Sequence, residues 1–132
     1  MKQVQHVSQF IACSPADVYA FASNPANLPQ WAAGLARSEV KQDGDAWIVE
    51  APFGRVRIRF ADDNAFGVMD HDVALEDGTT FHNPMRVIPN DDGSEIVFTL
   101  FRQDDMSDEK FAEDRQAIEE DFRTLKALLE AN

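Results

Sequence analysis

The order of secondary structure along the chain is the feature that most limits how it can fold. A strand and two short helices are predicted first, six strand-like runs follow, and a long helix is predicted at about 107–131. Tight turn pairs such as Asp43-Gly44 and Asp77-Gly78 separate the runs, and such pairs favour hairpins between neighbouring antiparallel strands. The sequence therefore predicts an α+β fold in which one long C-terminal helix covers an antiparallel meander.

The predicted C-terminal helix carries one apolar stripe at helical spacing: Phe111, Ile118, Phe122, Leu125 and Leu129. Arg115 falls within this stripe, so helical geometry directs its side chain toward the sheet. We expect it to face a cavity between helix and sheet, where a guanidinium can bind a carboxylate or phenolate. The alternative is that Arg115 reaches solvent at the rim, paired with a carboxylate.

Length and composition fit one packed domain over residues 1–132, with 44% hydrophobic residues and ten phenylalanines. The net charge of −12 argues against nucleic acid or an anionic membrane as partner, because phosphate binding depends on Lys and Arg. No run approaches the roughly 20 apolar residues of a membrane-spanning helix, so no membrane insertion is expected. Cys13 is the only cysteine, which indicates a reducing compartment and predicts a cytoplasmic protein.

Two neighbouring strands carry rows of opposite charge. The basic row lies on the strand predicted at 55–61: Arg55, Arg57 and Arg59. The acidic row lies on the strand predicted at 68–76: Asp70, Asp72 and Glu76. We expect the two rows to pair across the solvent face, which makes an ion ladder the better interpretation of the arginines than an anion-binding patch.

The entry to the fold has a recognisable pattern. Residues 11–21 read Ile-Ala-Cys-Ser-Pro-Ala-Asp-Val-Tyr-Ala-Phe, with Ser14 placed to cap a helix that starts at Pro15. Asn24-Pro25 repeats this device, and Leu28-Pro29-Gln30-Trp31 follows, with Pro29 expected to limit the second helix. With this pattern and the order of its elements, the chain resembles the START-like helix-grip superfamily, which includes polyketide cyclases and the plant Bet v 1-type proteins.

The resemblance extends over nearly the whole chain and implies a helix-grip fold. This is a curved antiparallel sheet of about seven strands with two short helices after strand 1 and a long C-terminal helix packed on the sheet. It also implies a sizeable cavity between sheet and helix. It assigns no catalytic residue, because members of the superfamily bind lipids, cyclise polyketides or contact chaperones.

His71 and Asn83 are the polar exceptions on the predicted inward faces. His71 is the candidate catalytic residue, since an inward imidazole can transfer a proton near neutral pH; the alternative is a core histidine bonded to a neighbour. Asn83 can orient a ligand carbonyl, or it is a bulge residue before Pro84. Cys13 precedes a helix but has no partner base in the sequence, so we do not expect a nucleophile.

These patterns favour binding of a small hydrophobic or aromatic molecule in the cavity. The expected ligand contacts are Trp31, Phe53, Met69, His71, Asn83, Met85, Phe98, Arg115 and Ile118. For Trp31 and Phe53 the alternative to gating the cavity is plain packing. Two other functions stay open: a cyclase-type enzyme with His71 as acid–base group, and a protein-interaction module with a filled core. No cofactor or metal site is expected, because the three histidines are scattered, and the sequence leaves the oligomeric state open.

Overall fold

A computed structural model describes residues 1–33, 40–51 and 54–131 of the chain. The strands in these ranges are β1 (Val4–Ile11), β2 (Lys41–Asp43), β3 (Ala46–Ala51), β4 (Gly54–Phe60), β5 (His71–Leu75), β6 (Thr80–Asn83), β7 (Met85–Asn90) and β8 (Gly93–Phe101). The helices are α1 (Pro15–Ala22), α2 (Leu28–Trp31), which follows a 3₁₀ turn at Pro25–Asn27, and α3 (Asp108–Glu130). The predicted α+β fold is confirmed, with eight strands in the described ranges where about seven were expected.

The strands form two antiparallel sheets, in the orders β1-β8-β7 and β2-β3-β4-β5-β6. The run predicted as one strand at 80–88 divides at Pro84 into β6 and β7, because proline cannot donate to a strand ladder. The two sheets stay joined beside this break. Val68 forms a bridge with Arg86, and Met69 N donates to Met85 O at 2.8 Å. The result is a curved surface rather than a flat sheet.

Helix α3 closes the concave side of this surface. Ser107 caps it by accepting a hydrogen bond from Lys110 N at 3.0 Å, as Ser14 caps α1 by accepting from Asp17 N at 3.2 Å. The helix packs along β1 and β8 and contacts α2. Phe122 and Leu125 are fully buried, and burying a side chain of this size contributes about 1.5–3 kcal/mol. None of the described helices is long and apolar enough to cross a membrane.

The C-terminal end of α3 is fastened to the junction between β1 and α1. The Glu130 carboxylate accepts a hydrogen bond from Ala12 N at 2.8 Å. The Cys13 thiol donates to Leu129 O at 3.4 Å, and Ser94 Oγ donates to Cys13 O at 2.7 Å. Cys13 therefore serves as a structural contact at this junction.

The arginine row on β4 lies on the outer face and is fully paired, but its partners differ from those expected. Each arginine bonds a carboxylate of the β2–β3 hairpin: Arg55 with Glu50 (2.9 Å), Arg57 with Asp43 (2.6 Å) and Arg59 with Asp45 (3.0 Å). The carboxylates expected to pair with them instead take other partners: Asp72 with His82 (2.6 Å) and Asp70 with Arg86 (2.9 Å). These exposed pairs each contribute little to stability, and they leave no anion-binding patch on β4.

Candidate functional site

A cavity of about 450 Å³ lies between α3, α2 and the inner faces of the sheets. Its volume falls within the usual range for small-molecule sites. The walls are mainly apolar: Leu28, Trp31, Ala32, Phe60, Leu75, Phe81, Met85, Phe98, Leu100, Phe101, Met106, Ala117, Ile118 and Phe122. Sheet and helix therefore enclose space that their own side chains do not fill.

His71 is the titratable group inside the cavity. Its side chain is held between the rings of Phe60 and Phe98, at centroid distances of 4.9 and 6.1 Å, and the residue is 6% exposed. Nδ1 lies 3.0 Å from Met69 O. Since a carbonyl only accepts, Nδ1 carries the hydrogen, and Nε2 of the neutral ring has a free lone pair. Burial lowers the pKa of His71, so the imidazole is neutral near pH 7.

Asn83, Gln103 and Trp31 belong to the same wall. Trp31 is 5% exposed and stacks on Phe122 at 6.4 Å. Its indole Nε1 has no hydrogen-bond partner among the described residues and almost no accessible surface, so this donor is buried in the wall and does not face the cavity. Asn83 lies opposite His71 in the β5–β6 register, and opposite residues share a face of the sheet. The cavity thus offers a ligand the His71 acceptor and the Asn83 amide.

The mouth of the cavity is formed by one flank of α3. Lys110, Asp114 and Asp121 line it, and Lys110 Nζ bonds Asp114 Oδ1 at 2.7 Å. The one ammonium of the described lining is thus already paired, and that lining includes no arginine. This arrangement offers no free cation to a ligand that carries a carboxylate into the cavity.

Six of the residues expected to contact a ligand line this cavity: Trp31, His71, Asn83, Met85, Phe98 and Ile118. Phe53 lies outside the described residues. Met69 was expected at the ligand but lies in the packed core, where its carbonyl fixes the His71 ring. The sequence analysis missed Lys110 and Asp114, although both lie on the face of α3 that carries Ile118, at intervals of four residues.

Arg115 does not face the cavity, and the expectation that it does is wrong. Its Nη1 donates to Gln5 Oε1 at 3.1 Å, and its Nε lies 3.6 Å from Glu119 Oε1. It borders a separate cleft of about 290 Å³ between α3 and β1. Because α3 runs along β1, the helix flank that carries Phe111 and Arg115 lies over that strand, and the flank that carries Asp114 borders the cavity.

Among the described residues, no cluster of three or more His, Cys, Asp or Glu side chains is arranged to hold a metal ion. The neutral His71 imidazole in a mainly apolar cavity suits hydrogen bonding to a small molecule, and it also suits proton transfer.

Comparison with solved structures gives the same fold. The chain is similar to XoxI from Bacillus cereus, with 16% identity, a TM-score of 0.73, and coverage of 95% of this chain and 94% of that one. It is also similar to Ara h 8.0201, a Bet v 1-like protein, with 14% identity, a TM-score of 0.75 and full coverage of both chains. DynU16, from the dynemicin biosynthetic locus, matches with 12% identity and a TM-score of 0.72 over 96% of this chain and 47% of its own.

These identities are too low to establish more than the fold. No curated protein matches the chain. The family model described as polyketide cyclase/dehydrase and lipid transport, however, matches residues 3–130. That match spans the elements that enclose the cavity, and so the chain belongs to the polyketide cyclase/dehydrase and lipid transport family.

Proposed function

We propose that the protein binds a small, uncharged hydrophobic or aromatic molecule in the cavity between the sheets and α3. The observation that carries this proposal is the mainly apolar cavity of about 450 Å³ with the His71 acceptor on its wall. A protein-interaction module with a filled core, the alternative raised by the sequence, has no need of such a space.

The polar groups define what the ligand needs. His71 Nε2 accepts, so it favours a hydroxyl or another donor on the ligand. The Asn83 amide can donate, so it favours a carbonyl or ether oxygen. A carboxylate would find no arginine among the described lining residues, and the Lys110 ammonium is already paired with Asp114, so the ligand is uncharged.

Two naphthalene probes of similar size test this proposal by isothermal titration calorimetry. One is 6-hydroxy-2-acetylnaphthalene, which carries a hydroxyl and a ketone, and the other is 2-naphthoate, which carries a carboxylate. We expect the hydroxyketone to bind at least about tenfold more tightly than the anion. Equal affinities for the two probes would contradict the proposal that the ligand is uncharged. Absence of binding by both probes, together with a native mass that shows no co-purified molecule, would contradict the binding function itself.

Substitution of Asn83 tests its role in this binding. Asn83→Leu keeps the size of the side chain and removes the amide, so we expect affinity for the hydroxyketone to fall by about fivefold, the value of one hydrogen bond. Asn90→Leu is the matched control, because Asn90 lies on β7 and does not line the cavity. Equal losses in the two variants would show that Asn83 makes no specific contact with the probe.

A cyclase-type enzyme is the second candidate, and the geometry of His71 favours it. Met69 O fixes the tautomer, so Nε2 is the available base, and burial lowers the pKa of His71 so that the base is unprotonated at pH 7. Such a base can take a proton from the carbon next to a ketone, while the Asn83 amide opposite His71 stabilises the enolate oxygen.

This activity can be measured as deuterium exchange into the acetyl methyl group of the hydroxyketone in D₂O, followed by proton NMR. We expect the wild-type protein to accelerate exchange and His71→Gln to lose the acceleration while still binding the probe. If the probe exchanged at the buffer rate while fully bound to the wild-type protein, the protein would bind the probe without catalysing this proton transfer.

A further inference from the structure

Phe66 is the most exposed large apolar side chain among the described residues after the first methionine, at 82%. Its loop is nevertheless well ordered by Asn64. Asn64 Oδ1 accepts from Phe66 N and Val68 N at 3.0 and 3.1 Å, and its Nδ2 donates to Asp62 O and Val68 O at 2.9 Å. Asn64 N also bonds Tyr19 Oη at 3.1 Å, which ties the loop to α1. The protein therefore presents Phe66 to solvent from a preorganised backbone.

The loop continues directly into the edge of β7. Val87 N donates to Gly67 O at 3.0 Å, and the approach is so close that a Cβ on Gly67 would lie 2.3 Å from Val87 O. Phe66 directly precedes Gly67 in the chain, and Ile88 directly follows Val87 on β7. Ile88 is 47% exposed on the outer face.

Two apolar side chains, Ile88 and Phe10, flank Glu95 on the outer face of the β1-β8-β7 sheet. Ile88 lies opposite Glu95, and Glu95 lies opposite Phe10, so these residues share one face. Phe10 is 37% exposed. Its ring lies over the backbone of Gly93, where a Cβ would lie 2.6 Å from Phe10 Cζ, and Lys126 Nζ lies 5.7 Å from the centre of that ring. We call Phe66, Ile88 and Phe10 the Phe66 row; Ile88 and Phe10 lie on the sheet face opposite to that of Met85 and Phe98, which line the cavity.

The charges around the Phe66 row are unbalanced. The exposed carboxylates nearby stand in the same loop and in the β7–β8 turn: Asp62, Asp63, Asp91 and Asp92. None of these four forms an ion pair with a described residue. The nearby cations are already engaged, since Arg86 pairs with Asp70 at 2.9 Å and Lys126 pairs with Glu130 at 2.6 Å. An apolar row with surplus negative charge complements a partner that is both apolar and basic.

We propose that the Phe66 row docks a basic amphipathic segment of another protein, in which apolar side chains contact Phe66 and lysines or arginines meet the surrounding carboxylates. A fixed, exposed aromatic side chain is a typical anchor of such an interface. A second copy of this chain is a poorer occupant, because each copy carries a net charge of −12.

The probe for this surface is a fluorescein-labelled peptide of about ten residues in which lysine alternates with leucine, and the control peptide has glutamate in place of lysine. Fluorescence anisotropy measures binding, and amide NMR shifts locate it. We expect the lysine peptide alone to bind, with shifts at Phe66, Ile88 and Phe10. Shifts confined to the acidic α3 helix, or equal binding of both peptides, would overturn the proposal.

Variants separate the apolar contribution from the charged one. Phe66→Ser removes an exposed side chain and should weaken the lysine peptide about tenfold, whereas Val4→Ser, at the other end of β1, should leave it unchanged. Asp91→Asn combined with Asp92→Asn should weaken binding at low salt and flatten its salt dependence. Unchanged affinity of Phe66→Ser would overturn the proposal. So would a wild-type dimer in sedimentation that Phe66→Ser dissolves, because the occupant would then be a second copy.

Discussion

Acidification tests how His71 is buried, because the folded and unfolded chains hold its proton differently. In the unfolded chain the imidazole titrates at its ordinary value of 6.5, and burial lowers the pKa in the folded protein. Between the two values the unfolded state binds more protons, so the free energy of unfolding rises with pH and falls as the solution is acidified below 6.5. His71 therefore makes the folded protein less stable in mild acid.

The size of this effect has an upper limit. If the folded imidazole stays neutral throughout, acidification from about pH 7.5 to about pH 5.5 lowers the free energy of unfolding by about 1.4 kcal/mol. The paired carboxylates act outside this range. The Arg86 guanidinium, for example, holds the pKa of Asp70 below its ordinary 3.8, so the stability that this pair supplies is lost only in stronger acid.

Urea unfolding followed by circular dichroism at several pH values measures the loss. We expect the wild-type protein to lose up to about 1.4 kcal/mol over this range, and His71→Gln to lose less, whatever its stability at neutral pH. His6→Gln is the control and should keep the wild-type loss, because the His6 imidazole bonds the Thr99 hydroxyl and pairs with no carboxylate among the described residues. If wild type and His71→Gln lost stability in parallel, the burial of His71 would not govern the pH dependence.

Three further predictions concern the backbone and α3. Gly67→Ala should lower the free energy of unfolding by at least about 2 kcal/mol in urea melts, because alanine is strained at φ +73° and its Cβ meets Val87 O; Gly44→Ala, at φ +64° in open space, should cost only about 1 kcal/mol. Ser107→Ala should cost about 1 kcal/mol through loss of the α3 cap, and an unchanged urea midpoint would count against that role. Arg115→Ala should leave calorimetric affinity for the hydroxyketone within about twofold, since Arg115 lies outside the cavity; a larger loss would place it at the ligand.

The order of elements could be predicted because its signals are local. Asp-Gly pairs mark the hairpins, serines mark the helix starts, and alternation on β5 and β6 placed His71 and Asn83 on inward faces. Each of these inferences needs only a few consecutive residues, and each agrees with the structure.

Features that depend on how elements pack could not be read in this way. The apolar stripe on α3 identifies the face of the helix that packs on the sheet, but not which flank of that face lies over β1. Arg115 was therefore expected at the cavity, whereas it lies over β1 and bonds Gln5. Alternation likewise could not show that the chain passes from one sheet to the other beside Asp70, which leaves Met69 in the core while His71 borders the cavity. The arginine partners depend on which of the strands beside β4 brings carboxylates within bonding distance, and the β2–β3 hairpin does so.

The fastening of α3 to the β1–α1 junction also determines when the cavity can exist during synthesis. The bonds to Ala12 and Cys13 come from residues 129 and 130. The ribosome therefore makes one side of this junction 116 to 118 residues before the other. Until the ribosome has released residue 130, the sheets can pair but their concave side lacks its secured wall. A molecule in the cavity therefore meets the complete, secured wall only after residue 130 has been made.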